Sequence, residues 1–389
     1  MDRNRFTWSL SLYYTTLFLI LGLQLPYLPL WLESRGLSAT QISVILAIPL
    51  VVRLGATPAM AFIADRLPGR GLAILIYSAA AAALFLAYHL PGGFWTIAGV
   101  TVAVSIFLNP LMPITEATAM RGARLYNVDY GRIRLWGSVS FICANLVGGA
   151  IVARTGGPGA LVALNVAAIL TALAALTLPR RDVVEDTGPE PAVASGPEKV
   201  RLSELYALLR RPAFAGVLTG AGLVQAAHAF YYAFGSIGWV AEGISPSTIG
   251  MLWAIGVLVE VGLFAASGRV VALLGVRGLF AAGALGAVVR WSLMAWTWPA
   301  AVYFPIQALH ALTFGATHLA IMNYLAESVP DRHSSGAQGL FSTVLGLLTG
   351  AVMLVAGPLY RTVGTGGYGV MAAMALVGGV VLAVSLRRR

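Results

Sequence analysis

Charge is what this chain has least of. Only 10% of its 389 residues are charged, against 58% hydrophobic, where soluble domains carry about 25% charged residues. So little polar surface cannot cover a core of that size, which leaves lipid as the covering. Cysteine is scarce too: Cys143 stands alone inside an apolar segment, so no intramolecular disulfide can form. No cleavable signal peptide is evident, because the first apolar segment is long, lacks a clear small-residue cleavage site and is followed by many more. No convincing nucleophile–base set or set of metal ligands on facing helices stands out. An enzyme, a cofactor and a metal are therefore not expected. The formal charge of +10 would suit nucleic acid, but the positive residues fall between apolar segments rather than in one patch, so no nucleic-acid partner is expected.

What is there is a series of long apolar segments. A spanning helix needs about 20 mostly apolar residues. That window predicts twelve: 7–31, 39–63, 71–90, 94–119, 132–153, 158–178, 213–238, 246–267, 277–297, 299–325, 336–359 and 364–386. Trp8, Tyr27, Trp31, Trp95, Tyr360 and Tyr368 lie near segment ends, as an aromatic belt places them. With the N-terminus inside, the inner loops hold most of the arginine and the outer ones only Arg35, Arg154 and Arg361, so both termini are expected on the cytoplasmic side of the inner membrane. The one composition shift is 180–210, rich in Pro, Gly and acid at first, with Leu202 to Leu209 able to form a short amphipathic helix. It divides the chain into two six-helix halves, 1–179 and 211–389. Gly131-Arg-Ile-Arg-Leu135-Trp136 precedes Gly336-Ala-Gln-Gly-Leu340-Phe341 by 205 residues, and each opens the fifth helix of its half. The fold class is thus all-α and polytopic, in two pseudo-symmetric halves. Two parallel six-helix halves describe the major facilitator architecture, with a ligand expected near the midplane.

Charged residues inside such segments are costly and are functional candidates by default. Glu116 and Arg134 fall at similar depth on adjacent antiparallel helices and are expected to pair. With Arg53, Glu260 and Arg290 they make a central set of three arginines and two glutamates. If all are ionised, one positive charge is in excess, a reason to expect an anionic ligand gripped by arginine. The alternative is that these residues are structural ion pairs locking helices. His228, His310 and His318 lie in the seventh and tenth segments, with unperturbed pKa values suited to proton transfer or, equally, to bridging helices. On a regular helix His310 and His318 stand about 80° apart, poor for a shared metal. Tyr231 and Tyr232, in the aromatic run from His228 to Phe234, would either face a planar ligand or pack.

Ala64-Asp65-Arg66-Leu67-Pro68-Gly69-Arg70 resembles the signature loop of the major facilitator superfamily, with Ala61 at a usual glycine and Pro68 as an insertion. The resemblance implies a gating role for Asp65 and Arg66, and Asp129 belongs with them. Pro113-Ile-Thr-Glu116 and Asp129-Tyr-Gly-Arg-Ile-Arg134-Leu-Trp-Gly-Ser138 resemble the oligosaccharide/proton symporters of the lactose permease family and, more closely, the 3-phenylpropionic acid transporter family. The second likeness covers nearly the whole chain, including Arg53, Gln225 to Phe234, Ile249 to Val261 and Val289-Arg290-Trp291. It implies a monomeric transporter using a small-molecule substrate and protons: uptake of a small organic, even aromatic, carboxylate by alternating access. Symport of sugars or nucleosides is the alternative. By resemblance Glu116 and Arg134 bind substrate, while His310 and Arg290 match a histidine and an arginine of the sugar permeases. Their proton-carrying glutamate falls at Thr313 here, which leaves Glu260, His228, His310 or no residue to carry a proton. Arg290 is expected as the counter-ion of Glu260, either in a switchable or in a permanent pair.

Overall fold

A computed structural model of the chain describes residues 2–180 and 202–387, so most of the expected linker lies outside the described residues. Every regular element among them is helical. The first half runs α1 (Arg3–Ser34), α2 (Ala39–Ala64), α3 (Arg70–Leu86), α4 (Phe94–Leu108), α5 (Leu111–Tyr126), α6 (Tyr130–Thr155) and α7 (Gly157–Ala175). The short α8 (Leu202–Leu209) falls where an amphipathic helix is expected. Then come α9 (Pro212–Ala226), α10 (His228–Ala241), α11 (Pro246–Ala265), α12 (Ser267–Met294), α13 (Ala300–Ala308), α14 (Thr317–Ser328), α15 (Asp331–Val363) and α16 (Gly367–Arg387).

These elements make twelve crossings, because three of the expected segments are broken. The fourth is α4 and α5, separated at Asn109–Pro110, where proline supplies no backbone N–H. The seventh is α9 and α10, separated at Ala227. The tenth is α13 and α14, joined through a π-helical turn at Ala311–Ala316. Ten stretches are long and apolar enough to cross a membrane by length and composition, the longest of them, Arg332–Arg387, holding both α15 and α16. Large apolar side chains such as Val147, Val162, Leu285 and Val377 point outward, the surface that lipid covers.

Contacts divide the described residues into two compact units, 2–180 with 232–254, and 202–231 with 255–387. Each has the same order of packing. In the first, α1 lies along α6 and α7, and α3 lies on α4 and α7. In the second, α9 lies along α15 and α16, and α12 lies on α14 and α16. Small residues permit these close crossings. A Cβ on Gly148 of α6 would come within 2.5 Å of the Tyr27 ring of α1, and the Tyr27 hydroxyl donates to the Asn145 carbonyl at 2.5 Å. Polar caps start some of the helices: Ser38 and Gln41 form a reciprocal capping box on α2, and Asp129 accepts from the Gly131 N–H at 2.8 Å to open α6.

Candidate functional site

In the first unit the turn between α5 and α6 sets the geometry. Asn127 ends α5 in the left-handed region (φ 48°), a conformation asparagine tolerates, and Asp129 then caps α6. The two helices so joined bring Glu116 and Arg134 together, with Arg134 Nε 3.2 Å from Glu116 Oε1. The Tyr130 hydroxyl donates to the other oxygen, Oε2. Both carboxylate oxygens are therefore engaged. The guanidinium lies over the Phe18 ring at 4.3 Å and faces Tyr14 at 5.6 Å, contacts that a weakly hydrated cation makes well. Its terminal nitrogens have no hydrogen-bond partner among the described residues, and the side chain is 32% exposed. Gly137, one turn on, leaves the room for this: a Cβ there would lie 2.9 Å from Phe18 Cδ2 and 3.0 Å from Arg134 Nη1.

Arg53 is exposed on α2, and no ion-pair or hydrogen-bond partner accompanies it among the described residues. At the end of α2, Asp65 faces Arg70 Nε at 3.6 Å, and Arg66 folds back over Phe62 at 3.3 Å from the ring centre. Asp129 pairs with Arg132 at 3.5 Å while capping α6. All three residues expected at a gate thus make local contacts at helix ends. Tyr232 belongs to the same unit and stacks on Trp253, with ring centres 6.1 Å apart.

The second unit holds a buried polar cluster, built on two of the broken crossings. The break at Ala227 leaves carbonyls without α-helical partners. His228, 1% exposed, answers one of them, with Nδ1 donating to the Gln225 carbonyl at 2.8 Å. Its Nε2 then accepts from the Thr313 hydroxyl at 2.9 Å. Arg290, also 1% exposed, donates from Nη2 to Gln307 Oε1 at 2.6 Å, and from Nη1 to Thr313 Oγ1 at 3.0 Å and His310 Nδ1 at 3.1 Å. His310 Nε2 meets Glu260 Oε2 at 3.0 Å. His310 therefore bridges the acid and the arginine that the sequence pairs directly. Tyr231 is buried with its ring 5.1 Å below the Arg290 guanidinium.

The π turn also corrects the expected spread of the tenth crossing. The rings of His310, Phe314 and His318 form one stack, at 5.5 and 5.9 Å with interplanar angles of 13° and 2°. A regular helix would set the first and last about 80° apart; the wider turn narrows that offset.

Residues 7–366 match the family described as "MFS_1 like family". The chain belongs to that family. Its relatives are transporters of the major facilitator type, and this protein is accordingly a multi-pass secondary transporter of the inner membrane, not an enzyme. The "Probable 3-phenylpropionic acid transporter" of Escherichia coli (strain K12) is 33% identical over 376 residues, covering 94% of each chain. The "Maltose permease" of Geobacillus stearothermophilus is 25% identical over 335 residues, 86% of this chain and 82% of that one. Among solved structures, the nucleoside transporter NupG superposes with a TM-score of 0.83 at 14% identity, over 98% of this chain and 99% of that one. A bacterial homologue of the human lysosomal transporter Spinster gives 0.74 at 15% identity, covering 99% and 96%. At those identities the likeness shows the fold.

Three residues of these two clusters escape a reading of charges alone: Tyr130, Phe18 and Gln307. Tyr130 is a phenol directly after the cap, one helical turn before Arg134. Gln307 is three residues before His310, hence on the same helical face.

Proposed function

We propose that this transporter takes up a small organic carboxylate with an aromatic body, of the phenylpropionate kind, together with a proton. The observation that carries the reading is the outer edge of Arg134. Nε is spent on Glu116, the π face rests on Phe18, and the two terminal nitrogens stand open side by side. That edge matches a carboxylate, which accepts two parallel hydrogen bonds from a guanidinium. Glu116 offsets the charge of Arg134, so a bound anion needs a second cation, and Arg53 supplies it. Tyr232 offers an aromatic face. The name of the 33%-identical relative supports the same chemistry.

Glu260 carries the proton, and the His310–Arg290 chain behind it makes the protonated and ionised forms respond to rearrangement. Alternating access exposes Glu116 and Arg134 to one side of the membrane and then the other, with Asp65, Arg66 and Asp129 at the helix ends that must move. The arginine bias supports a cytoplasmic location for both termini, with a single chain as the working unit.

The test is uptake of labelled 3-phenylpropionate into vesicles holding the purified protein, with and without an inward proton gradient. Gradient-dependent accumulation is expected, with the amide of the same acid competing poorly. Arg53→Gln should weaken the acid about tenfold more than the amide, the scale of one charged hydrogen bond. Similarity to a maltose permease favours a second reading, symport of sugars or nucleosides through Glu116. Accumulation of a sugar or nucleoside without uptake of the acid would establish it.

A further inference from the structure

Glu116 sits in a position where a carboxylate can play two opposite parts. As an open acceptor it would bind a hydroxyl of a neutral ligand. As an occupied acceptor it serves only to hold Arg134. Its two oxygens are occupied by different donors from different sides: Oε1 by Arg134 Nε at 3.2 Å, Oε2 by the Tyr130 hydroxyl. Tyr130 lies in the first turn of α6, one turn before Arg134, and is partly buried, so its phenol reaches Glu116 from the cap side of the pair.

We propose that Tyr130 is the selectivity residue of this site: by donating to Glu116 it withdraws the acceptor that a hydroxylated ligand needs and keeps the outer edge of Arg134 open for a carboxylate. The proposal rests on the carboxylate reading above and deepens it. Two physical consequences follow from the bond. First, a carboxylate oxygen already accepting a phenol O–H has less to offer a ligand hydroxyl, and less bare charge to repel a ligand anion. Secondly, the bond fixes the rotation of Glu116. A carboxylate held only through Oε1 can turn until both oxygens grip the guanidinium in the bidentate mode that arginine and carboxylates favour. One terminal nitrogen would then be consumed inside the protein, and the two-nitrogen outer edge would be lost. The tyrosine holds Glu116 on the Nε side, and the stacking on Phe18 fixes the plane in which the open edge lies. A site built around one hydrogen-bonding pattern rejects ligands that cannot complete it.

The experiment measures binding of two ligands that differ only at the head group, 3-phenylpropionate and 3-phenylpropan-1-ol, to the wild type, Tyr130→Phe, Glu116→Gln and the double variant Glu116→Gln/Tyr130→Phe. Thermal unfolding of each purified protein with and without ligand gives the affinities and reports folding at the same time. In the wild type the acid binds and the alcohol binds far more weakly. In Tyr130→Phe the acid weakens, the alcohol gains, and their affinity ratio falls about tenfold or more, the scale of a hydrogen bond to a charged group. In the double variant removing the phenol changes the ratio little relative to Glu116→Gln alone, because the phenol acts through the carboxylate. An equal loss for both ligands in Tyr130→Phe, or an unchanged ratio, overturns the role of Tyr130 and leaves the carboxylate site standing. Failure of the wild type to bind the acid removes the carboxylate reading, and this proposal with it.

Discussion

Arg290 Nη1 lies 3.1 Å from His310 Nδ1, and since a guanidinium can only donate, that nitrogen of His310 accepts. The hydrogen of the neutral ring is then on Nε2, aimed at Glu260 Oε2 3.0 Å away. A doubly protonated ring would turn an N–H toward Arg290, so the arginine holds His310 in one tautomer. Glu260 is left as the member of the chain whose proton can come and go without opposing Arg290. Glu260→Gln is expected to lose accumulation driven by a pH gradient and to keep substrate counterflow in equilibrated vesicles. Full accumulation in this variant would show that Glu260 does not carry the proton.

Arg290 is placed to stabilise the second unit. It is buried among Gln307, Thr313 and His310, and a lysine cannot reach them all from one nitrogen. Leaving a buried acceptor unpaired costs about 1–3 kcal/mol, and Arg290 serves three of them. Arg290→Lys should lower the unfolding midpoint of purified protein, and Arg290→Met should lower it further. Midpoints equal to the wild type in both would show that the cluster is not structural.

Gly137 tests the clearance around Arg134. An alanine there must displace Phe18 or the guanidinium, given gaps of 2.9 and 3.0 Å. Gly137→Ala should weaken carboxylate binding about tenfold, the scale of one charged hydrogen bond misplaced. Gly99→Ala on α4, where a Cβ meets nothing within 4 Å, should leave binding unchanged. Equal affinities in the two variants would separate the glycine from the site.

Much of this was readable because lipid imposes a simple rule. Backbone groups must be satisfied within each crossing, so long apolar runs mark helices, and Glu116 and Arg134 could be paired from their depth alone. Hydropathy is blind to what happens inside a run. It reads 94–119 and 213–238 as continuous, although Pro110 and Ala227 break them. The pairing of Glu260 with His310 was hidden for a related reason: charge complementarity favours Arg290, whereas the π turn decides which side chains of the tenth crossing meet. Tyr130 was hidden because a phenol after a cap carries no charge to flag it.

The π turn gives the tenth crossing an unusual tolerance. Excising one residue from an ordinary spanning helix rotates everything beyond the cut by about 100° and carries a whole packed face into lipid. The turn at Ala311–Ala316 is wound with i→i+5 bonds and so already holds a residue more than an α-helix would use. Excising Leu312 lets it close to α-helix with α13 and α14 still in register. We expect folded, monodisperse protein from that deletion, where loss of Leu258 from the unbroken α11 gives aggregate on size-exclusion chromatography. Aggregate from both would show that the turn has no residue to spare. The slack of one residue sits inside the membrane-spanning run itself, where an ordinary helix has none.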